Sequence, residues 1–79
     1  MKIKHKHIYF KVDFYRAKIA EYGCYHNKDD EQFGYVRWYP GWKQYCFKPY
    51  SDTVLSAGCL NDIVDFIQQL MDKIKKESS

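Results

Sequence analysis

The 79-residue chain has few of the features that mark membrane, secreted or disulfide-bonded proteins. No stretch approaches the roughly 20 consecutive apolar residues that a membrane-spanning helix needs, so no membrane partner is expected. The start of the chain alternates Lys and His with Ile and lacks the apolar core of a signal peptide. The three cysteines Cys24, Cys46 and Cys59 are odd in number and widely spaced. They predict free thiols in a reducing cytoplasm.

The chain also lacks the usual motifs of catalysis and metal binding. It contains no Ser-His-Asp set, no HExxH motif and no glycine-rich phosphate loop. His26 with Asp29 and Asp30 falls on a predicted solvated loop, and His5 and His7 have no third ligand at metal spacing. We therefore expect no catalytic residue, no cofactor and no metal. A small enzyme that uses His26 or Cys59 remains the third alternative.

The residues that are abundant indicate one small folded domain. Hydrophobic residues make up 46% of the chain, and eight Tyr, five Phe and two Trp are too many aromatics for a disordered protein. The length suits a single core, so the chain is predicted to be one domain over residues 1–79, with residues 1–6 and 76–79 frayed. A net charge of +3 is too small to imply wholesale phosphate neutralisation.

Four segments predict β-strands. Residues 7–15 alternate strictly, with Ile8, Phe10, Val12 and Phe14 on one side, and residues 18–26 form a vaguer strand before a polar loop at 27–32. Residues 34–39 and 43–48 flank Pro40-Gly41, which predicts a type II hairpin turn with Gly41 at positive φ. In that register Val36 faces Tyr45. A two- or four-residue loop keeps the same side chains on each face.

The last third of the chain predicts an amphipathic helix. Ser56 is the candidate N-cap, with Asn61 as the alternative, and Thr53 to Leu55 is a candidate for a short extended segment. The apolar stripe of the helix comprises Leu60, Ile63, Val64, Ile67, Leu70, Met71 and Ile74. The fold class is therefore α+β, a four-stranded antiparallel β-meander packed on one face by a C-terminal helix, in the order ββββα.

One helix covers only one face of such a sheet. The covered face would hold Ile8, Phe10, Val12, Phe14, Val36, Trp38, Tyr45 and Phe47. The opposite face is the predicted partner-binding site, and it comprises Tyr9, Lys11, Tyr15, Tyr35, Arg37, Tyr39, Trp42 and Gln44. Tyr, Trp and Arg are enriched at protein-interface hot spots, which favours a protein partner, with a homodimer as one way to cover the face. A solvated face with ordinary aromatic pairs is the plain alternative.

Nucleic acid is the second choice of partner. An exposed aromatic sheet face stacks single-stranded bases in some modules. The first eighteen residues are also basic, with Lys2, Lys4, Lys6, Lys11, Arg16 and Lys18 against a lone Asp13. Such a run is more often a solubilising edge than a phosphate-binding track.

The second half of the chain contains two segments with a distinctive order of aromatic and apolar residues. Residues 34–49 read GYVRWYPGWKQYCFKP and residues 53–70 read TVLSAGCLNDIVDFIQQL. They are similar to the pattern G-x-[IV]-x-W-[YF]-x-x-W-[RK]-Q-Y-x-F-x-P followed by T-[VI]-[FL]-x-x-x-C-L-x-D-I-x-x-F-I, although Gly41 and Lys43 stand where Pro and Arg are expected. In this pattern the chain resembles a group of short proteins encoded by bacteriophages and prophages. The matching positions are Gly34, Val36, Trp38, Tyr39, Trp42, Lys43, Gln44, Tyr45, Phe47, Pro49, Thr53, Val54, Leu55, Cys59, Leu60, Asp62, Ile63, Phe66 and Ile67.

The resemblance covers a little under half of the chain and implies a provenance rather than an activity. It implies a small accessory protein that acts in the cytoplasm of a bacterial host. Small phage proteins of this kind commonly bind host machinery, including defence systems such as CRISPR nucleases. A non-catalytic binding protein for a host or phage protein is therefore the leading expectation.

Overall fold

Four antiparallel strands and one helix make up the fold. In a computed structural model, the described part of the chain is residues 2–16 and 19–77, without the side chains of residues 14–16 and 77. The elements are β1 (Ile8–Arg16), β2 (Ile19–His26), β3 (Gln32–Tyr39), β4 (Gln44–Pro49) and α1 (Ala57–Glu77). The strands form one sheet in the order β1-β2-β3-β4, which confirms the predicted ββββα arrangement. Residues 53–55 are not a strand, contrary to the expectation of a short extended segment.

Ser56 begins the helix, as its sequence position predicts. Its Oγ accepts a hydrogen bond from the Cys59 N–H at 3.2 Å, and its carbonyl accepts the Leu60 N–H at 3.0 Å. The first bond satisfies one of the backbone donors that the first turn of a helix leaves without partners, and the second is the first i→i−4 bond of the helix. Asn61, the alternative cap, lies inside α1. In the described residues, no helix is both long enough and apolar enough to cross a membrane.

The face of α1 that meets the sheet keeps five of the seven residues of the predicted stripe and differs at two. Ile63 and Leu70 are buried, and Ile67, Met71 and Ile74 are partly buried against the core. Cys59, Ile63, Phe66 and Leu70 are buried, whereas Leu60 is 47% exposed and Val64 is 63% exposed. The spacings of four, three and four residues between the buried positions also fit a helical face, so periodicity alone did not fix the edge of the stripe. Packing turned that edge toward Phe66, because its ring stacks on Phe10 with centroids 3.9 Å apart.

A β-bulge interrupts β1 directly after Val12, a residue that was predicted to lie in the core. Val12 pairs with Tyr22 but Phe14 pairs with Glu21, so Asp13 is an extra residue in the strand. Val12 was expected in the core and is 37% exposed instead. Val12 stays in phase with Phe10, since their partners Tyr22 and Cys24 are both core residues, and the bulge breaks the alternation only after Val12. The side chains of Phe14 and Tyr15 lie outside the described residues.

Strand β2 is more deeply buried than its vague pattern suggested. Ala20, Tyr22 and Cys24 belong to the core and alternate along the strand. The strand lies between β1 and β3, so both of its edges are paired with neighbouring strands. Of the other residues expected on the helix-covered face, Ile8, Phe10, Val36 and Tyr45 are buried, and Trp38 and Phe47 are partly buried against the core.

The β3–β4 hairpin has a four-residue loop, Pro40 to Lys43, instead of the predicted two-residue turn. Trp42 N–H donates to the Tyr39 carbonyl at 3.1 Å, and Lys43 takes the positive φ of 52° that was assigned to Gly41. The register therefore moves by two residues, and Val36 pairs with Phe47 rather than Tyr45. A shift of two leaves every side chain on its predicted face.

Residues 2–5 form an N-terminal arm that folds back on β1. The Phe10 N–H donates to the Ile3 carbonyl at 2.9 Å, and the His5 N–H donates to the Ile8 carbonyl at 2.8 Å. The His5 side chain is 3% exposed and its Nε2 lies 3.0 Å from Asp65 Oδ2 on α1. Residues 2–5 thus make specific contacts in the structure, while the fraying expected of residues 1–6 stays a prediction that the His5 variant described below tests.

Candidate functional site

The sheet face opposite α1 is the candidate site, and we call it the outer face. No helix or strand of the described chain lies over it. Seven of the eight predicted site residues are on it or at its end: Tyr9, Lys11, Tyr35, Arg37, Tyr39, Trp42 and Gln44. The side chain of the eighth, Tyr15, is outside the described residues. Trp42 lies in the hairpin loop rather than on a strand, because that loop has four residues.

Two tyrosines of the outer face were not predicted from the sequence. Tyr25 is the partner of Tyr9 across β1 and β2, and the Tyr50 ring lies 6.1 Å from the ring of Tyr35. The weak alternation of β2 did not show on which face of the sheet Tyr25 lies. Once β2 is recognised as a strand, Tyr25 is expected on the same face as Gly23 and Glu21, because it is two and four residues from them.

Tyr9 and Tyr25 form a stacked pair that two carboxylates hold in place. Their ring centroids are 5.2 Å apart with an interplanar angle of 13°. The Tyr9 hydroxyl donates to Asp30 at 2.9 Å, and the Tyr25 hydroxyl donates to Asp13 at 3.3 Å. Lys11 Nζ lies 5.8 Å from the centre of the Tyr25 ring, within the range of a cation–π contact. Asp13 of the bulge therefore has a role on this face.

Gly23 provides the space in which Tyr25 lies. A Cβ at this position would come within 2.8 Å of the Tyr25 ring and hydroxyl and 2.9 Å of Gln32 Nε2. The same Gln32 amide donates to Asp13 at 3.4 Å and to the Gly34 carbonyl at 3.2 Å. The glycine thus lets an aromatic ring lie flat across the strand, where a side chain would push it away.

A second aromatic pair stands at the hairpin end of the outer face. The rings of Tyr39 and Trp42 are 4.9 Å apart, and the residues are 42% and 67% exposed. On the covered face below them, Trp38 packs edge-on against Tyr45 at 5.6 Å, and the Tyr45 hydroxyl donates to the Ala20 carbonyl at 3.0 Å. The exposed pair therefore stands on an anchored part of the sheet.

Charges of both signs are interspersed on the outer face. Arg37 Nε lies 3.6 Å from Glu21 Oε1, in the middle of the sheet. Among the side chains that the structure describes, the cations and anions of this face balance, with Lys11, Lys48 and Arg37 against Asp13, Asp30 and Glu21. Phosphate backbones are bound by an excess of Lys and Arg, and these described side chains show no such excess.

The contacts of the tyrosines change their acidity. The hydrogen bond to Asp30 is the main reason that the pKa of Tyr9 is raised above its ordinary value. Burial is the main cause of the raised pKa of Tyr25, and the negative charge of Asp13 adds to it. A raised pKa means that the folded protein favours the neutral phenol. The stability from these contacts is therefore complete at neutral pH and is lost as the pH rises above about 10.

We predict that Asp30→Asn lowers the pKa of Tyr9 toward the ordinary tyrosine value, because the charged acceptor of its hydroxyl is removed. The measurement is an alkaline titration of tyrosine Cζ chemical shifts by NMR. Tyr25 is the internal control, since Asp13 rather than Asp30 contacts it. An unchanged Tyr9 titration in the variant would contradict the assigned hydrogen bond.

The residues considered for catalysis or metal binding have other surroundings. His26 stacks on Phe33 with ring centroids 4.3 Å apart, and it lines an open cleft of about 370 Å³ with Glu31 and Asp52. Cys24 and Cys59 are buried thiols, and burial raises the pKa of Cys24 far above its ordinary value, which makes the reactive thiolate scarce. Within the described residues, no three His, Cys, Asp or Glu side chains are placed to hold a metal.

Comparison with known proteins connects the chain to a phage. A 9.3 kDa protein of Acholeplasma phage L2, described as uncharacterised, is 41% identical to it over 51 residues. The match spans 63% of this chain and 65% of the phage protein, slightly less than two thirds of each. No protein-family model and no solved structure matches the chain. The chain is thus similar to a small phage protein, while the longer sequence pattern proposed above stays a prediction.

Proposed function

We propose that this protein is a non-catalytic accessory protein of a phage that binds a host or phage protein through its outer face. The observation that carries the proposal is the pair of ordered aromatic clusters, Tyr9 with Tyr25 and Tyr39 with Trp42, on a sheet face that α1 leaves uncovered. The similarity to a phage protein supports the provenance. The finer proposal is that the partner belongs to host or defence machinery, which the protein inhibits by occupying a surface, as anti-CRISPR proteins do.

The two aromatic clusters suit a binding surface because their side chains are already ordered and lose little conformational freedom on binding. The hydroxyls of Tyr9 and Tyr25 are already bound to carboxylates, and each ring is stacked on the other. Immobilising a flexible side chain at an interface costs about 0.5–1.5 kcal/mol, a cost that ordering before binding avoids. Tyr, Trp and Arg also contribute large contact areas while keeping polar groups for the partner.

The charge pattern favours protein over nucleic acid as the partner. The Arg37–Glu21 pair and the carboxylates of Asp13 and Asp30 would stand against a phosphate backbone and repel it. A protein interface accommodates such a mixture, because charges of both signs set register and exclude wrong partners. Nucleic acid therefore becomes one outcome of the test.

Site-specific photo-crosslinking in a phage-bearing host tests the proposal. A photoreactive phenylalanine analogue replaces Tyr39 in one variant and Tyr35 in a second, and Val64 on the exposed side of α1 is the matched control. We expect the Tyr39 and Tyr35 variants to form adducts with one host or phage protein, which mass spectrometry identifies, and the Val64 variant to form none.

Three outcomes have different meanings. A shared protein adduct that depends on the outer-face positions supports the proposal. Adducts that disappear on nuclease treatment, together with salt-sensitive binding to labelled oligonucleotides, would replace it with nucleic-acid binding. Equal labelling from Tyr39 and Val64 would show that the outer face is not the binding surface.

A further inference from the structure

We propose that the open cleft at the end of the outer face receives an arginine side chain of the partner protein. The inference rests on the proposed function, because it names the chemistry by which the partner is recognised beside the same face. Two observations carry it: the charge of the cleft walls, and the hydrogen-bonding groups that the adjoining tyrosines leave open.

The cleft lies where the β2–β3 loop meets the segment that follows β4. Its volume of about 370 Å³ is near the lower end of the roughly 300–1,000 Å³ of ligand pockets. Glu31 and Asp52 supply carboxylates to its walls, and the described residues that line it include no Lys or Arg. Among the described side chains, neither carboxylate has a cation within ion-pair distance. The cleft therefore attracts a positively charged group.

Aromatic and apolar side chains form other parts of the cleft wall. Phe33 lines the cleft and stacks on His26 with ring centroids 4.3 Å apart. Tyr50 and Val54 line it from the segment after β4 and are 45% and 90% exposed. Such surface packs against the methylene groups of a long side chain whose charged end reaches a carboxylate. The Tyr50 ring also lies 6.1 Å from Tyr35, so the cleft is continuous with the outer face.

The adjoining tyrosines of the outer face have already used their hydrogen-bond donors. The Tyr9 and Tyr25 hydroxyls donate to carboxylates, and Gln32 Nε2 donates to one of these carboxylates and to a backbone carbonyl. The phenol and carboxylate oxygens remain as acceptors. Lys11 shows that a cation is accommodated against these rings, since its Nζ lies 5.8 Å from the centre of the Tyr25 ring. A partner that binds here therefore has to supply donors.

Arginine matches this combination better than the other side chains. Its guanidinium group is planar, so it stacks on an aromatic ring while two of its N–H groups donate to one carboxylate. It has five donors and no acceptor, which suits a surface of acceptors. The ammonium group of lysine is a strongly hydrated point charge without this stacking geometry. A phosphate backbone or an acidic segment would be repelled by Glu31 and Asp52.

An NMR titration of the ¹⁵N-labelled protein with the peptide acetyl-Gly-Arg-Gly-amide tests the inference. We expect the amide signals of Glu31, Tyr50 and Asp52 to shift progressively, with a dissociation constant in the millimolar range because one side chain makes the contacts. Citrulline in place of arginine is the matched control, because it has the same shape and a neutral urea group, and it should cause no shift. The lysine peptide should bind at least about threefold more weakly.

Variants that remove one charge locate the contact. Asp52→Asn and Glu31→Gln should each weaken binding of the arginine peptide at least about threefold, since each removes a carboxylate. Asn suits position 52 because Asp52 has a φ of 62°, a left-handed conformation that Asn adopts readily. Asp72→Asn removes the same charge from an exposed position on α1 and should leave the binding unchanged. The amide spectrum of each variant shows whether it is folded.

Four results would overturn the inference. The absence of shifts at about 10 mM arginine peptide refutes an arginine site in the cleft. Equal shifts with the citrulline peptide show that the charge is not recognised, and equal binding of the lysine peptide refutes the assignment to arginine. Binding that is unchanged in both Asp52→Asn and Glu31→Gln shows that the peptide contacts another part of the protein.

The two proposals fail separately. A protein adduct from Tyr35 and Tyr39 in the crosslinking test, without any response to the arginine peptide, refutes the arginine site and leaves the proposed function standing. Conversely, an arginine-specific response at Glu31 and Asp52, without a protein adduct from the outer face, supports the site and contradicts the proposed host or phage partner.

Discussion

Replacing Phe66 with Ala is expected to lower the free energy of unfolding by about 3–5 kcal/mol, the largest effect of any single substitution considered for this protein. Phe66 is fully buried, and its ring stacks on Phe10 at 3.9 Å and receives the edge of Tyr22 at 5.0 Å. The substitution leaves a cavity between α1 and the sheet. A chain of this length has a total stability of about 4–12 kcal/mol, so much of the variant should be unfolded at 37 °C.

Urea unfolding, followed by circular dichroism, measures the Phe66→Ala effect. Val64→Ala is the matched control, because it lies on the same helix, belongs to the predicted apolar stripe and is 63% exposed. It should change stability by less than about 0.5 kcal/mol. Equal losses at the two positions would mean that Val64 packs on the sheet as closely as Phe66 does, contrary to its exposure in the structure.

Replacing His5 with Ala is expected to cost about 2–3 kcal/mol, although the residue lies five positions from the start of the chain. The ring packs edge-on against Phe10 at 5.4 Å and against Phe66 at 6.4 Å, and its Nε2 donates to Asp65. The variant loses this packing and the hydrogen bond that joins the N-terminal arm to α1.

His7→Ala is the control for the arm, since His7 is an exposed histidine two residues away whose backbone N–H bond to Asp62 survives the change. Its cost should stay below about 1 kcal/mol. Asp65→Asn, which keeps an oxygen acceptor but removes the charge, should fall between the two in the same urea experiment. A His5→Ala variant as stable as His7→Ala would show that the arm is frayed in solution.

The order of elements was predictable because each is encoded locally. Alternation over residues 7–15, the aromatic runs on both sides of Pro40-Gly41 and the Ser56 cap each depend on neighbours in the sequence. The hairpin shows what such local signals do not determine. The turn residues identified a hairpin, but loop length and register were decided by how β4 pairs along β3, and Lys43 adopted the positive φ in place of Gly41.

The candidate site was predictable to the same extent. An uncovered outer face was predictable because one helix covers only one of the two faces of a sheet. The placement of Tyr9, Lys11, Tyr35 and Arg37 on it was predictable from the alternation of side chains along a strand. What alternation missed are the partners that hold these side chains. Tyr25 lies on the weakly patterned β2, and Asp13 reaches the face as an extra residue in a bulge.

The sequence by itself determined the strand and helix segments, the absence of long apolar runs and the division of the aromatic residues between two sheet faces. Only the tertiary structure decided the bulge at Asp13, the rotation of α1 toward Phe66 and the burial of His5 against Phe10 and Asp65. The physical reason is the distance along the sequence between the residues that interact. Periodicity and capping depend on residues within a few positions, whereas these three features arise from contacts between distant segments, such as His5 with Asp65, whose strength depends on shape and burial.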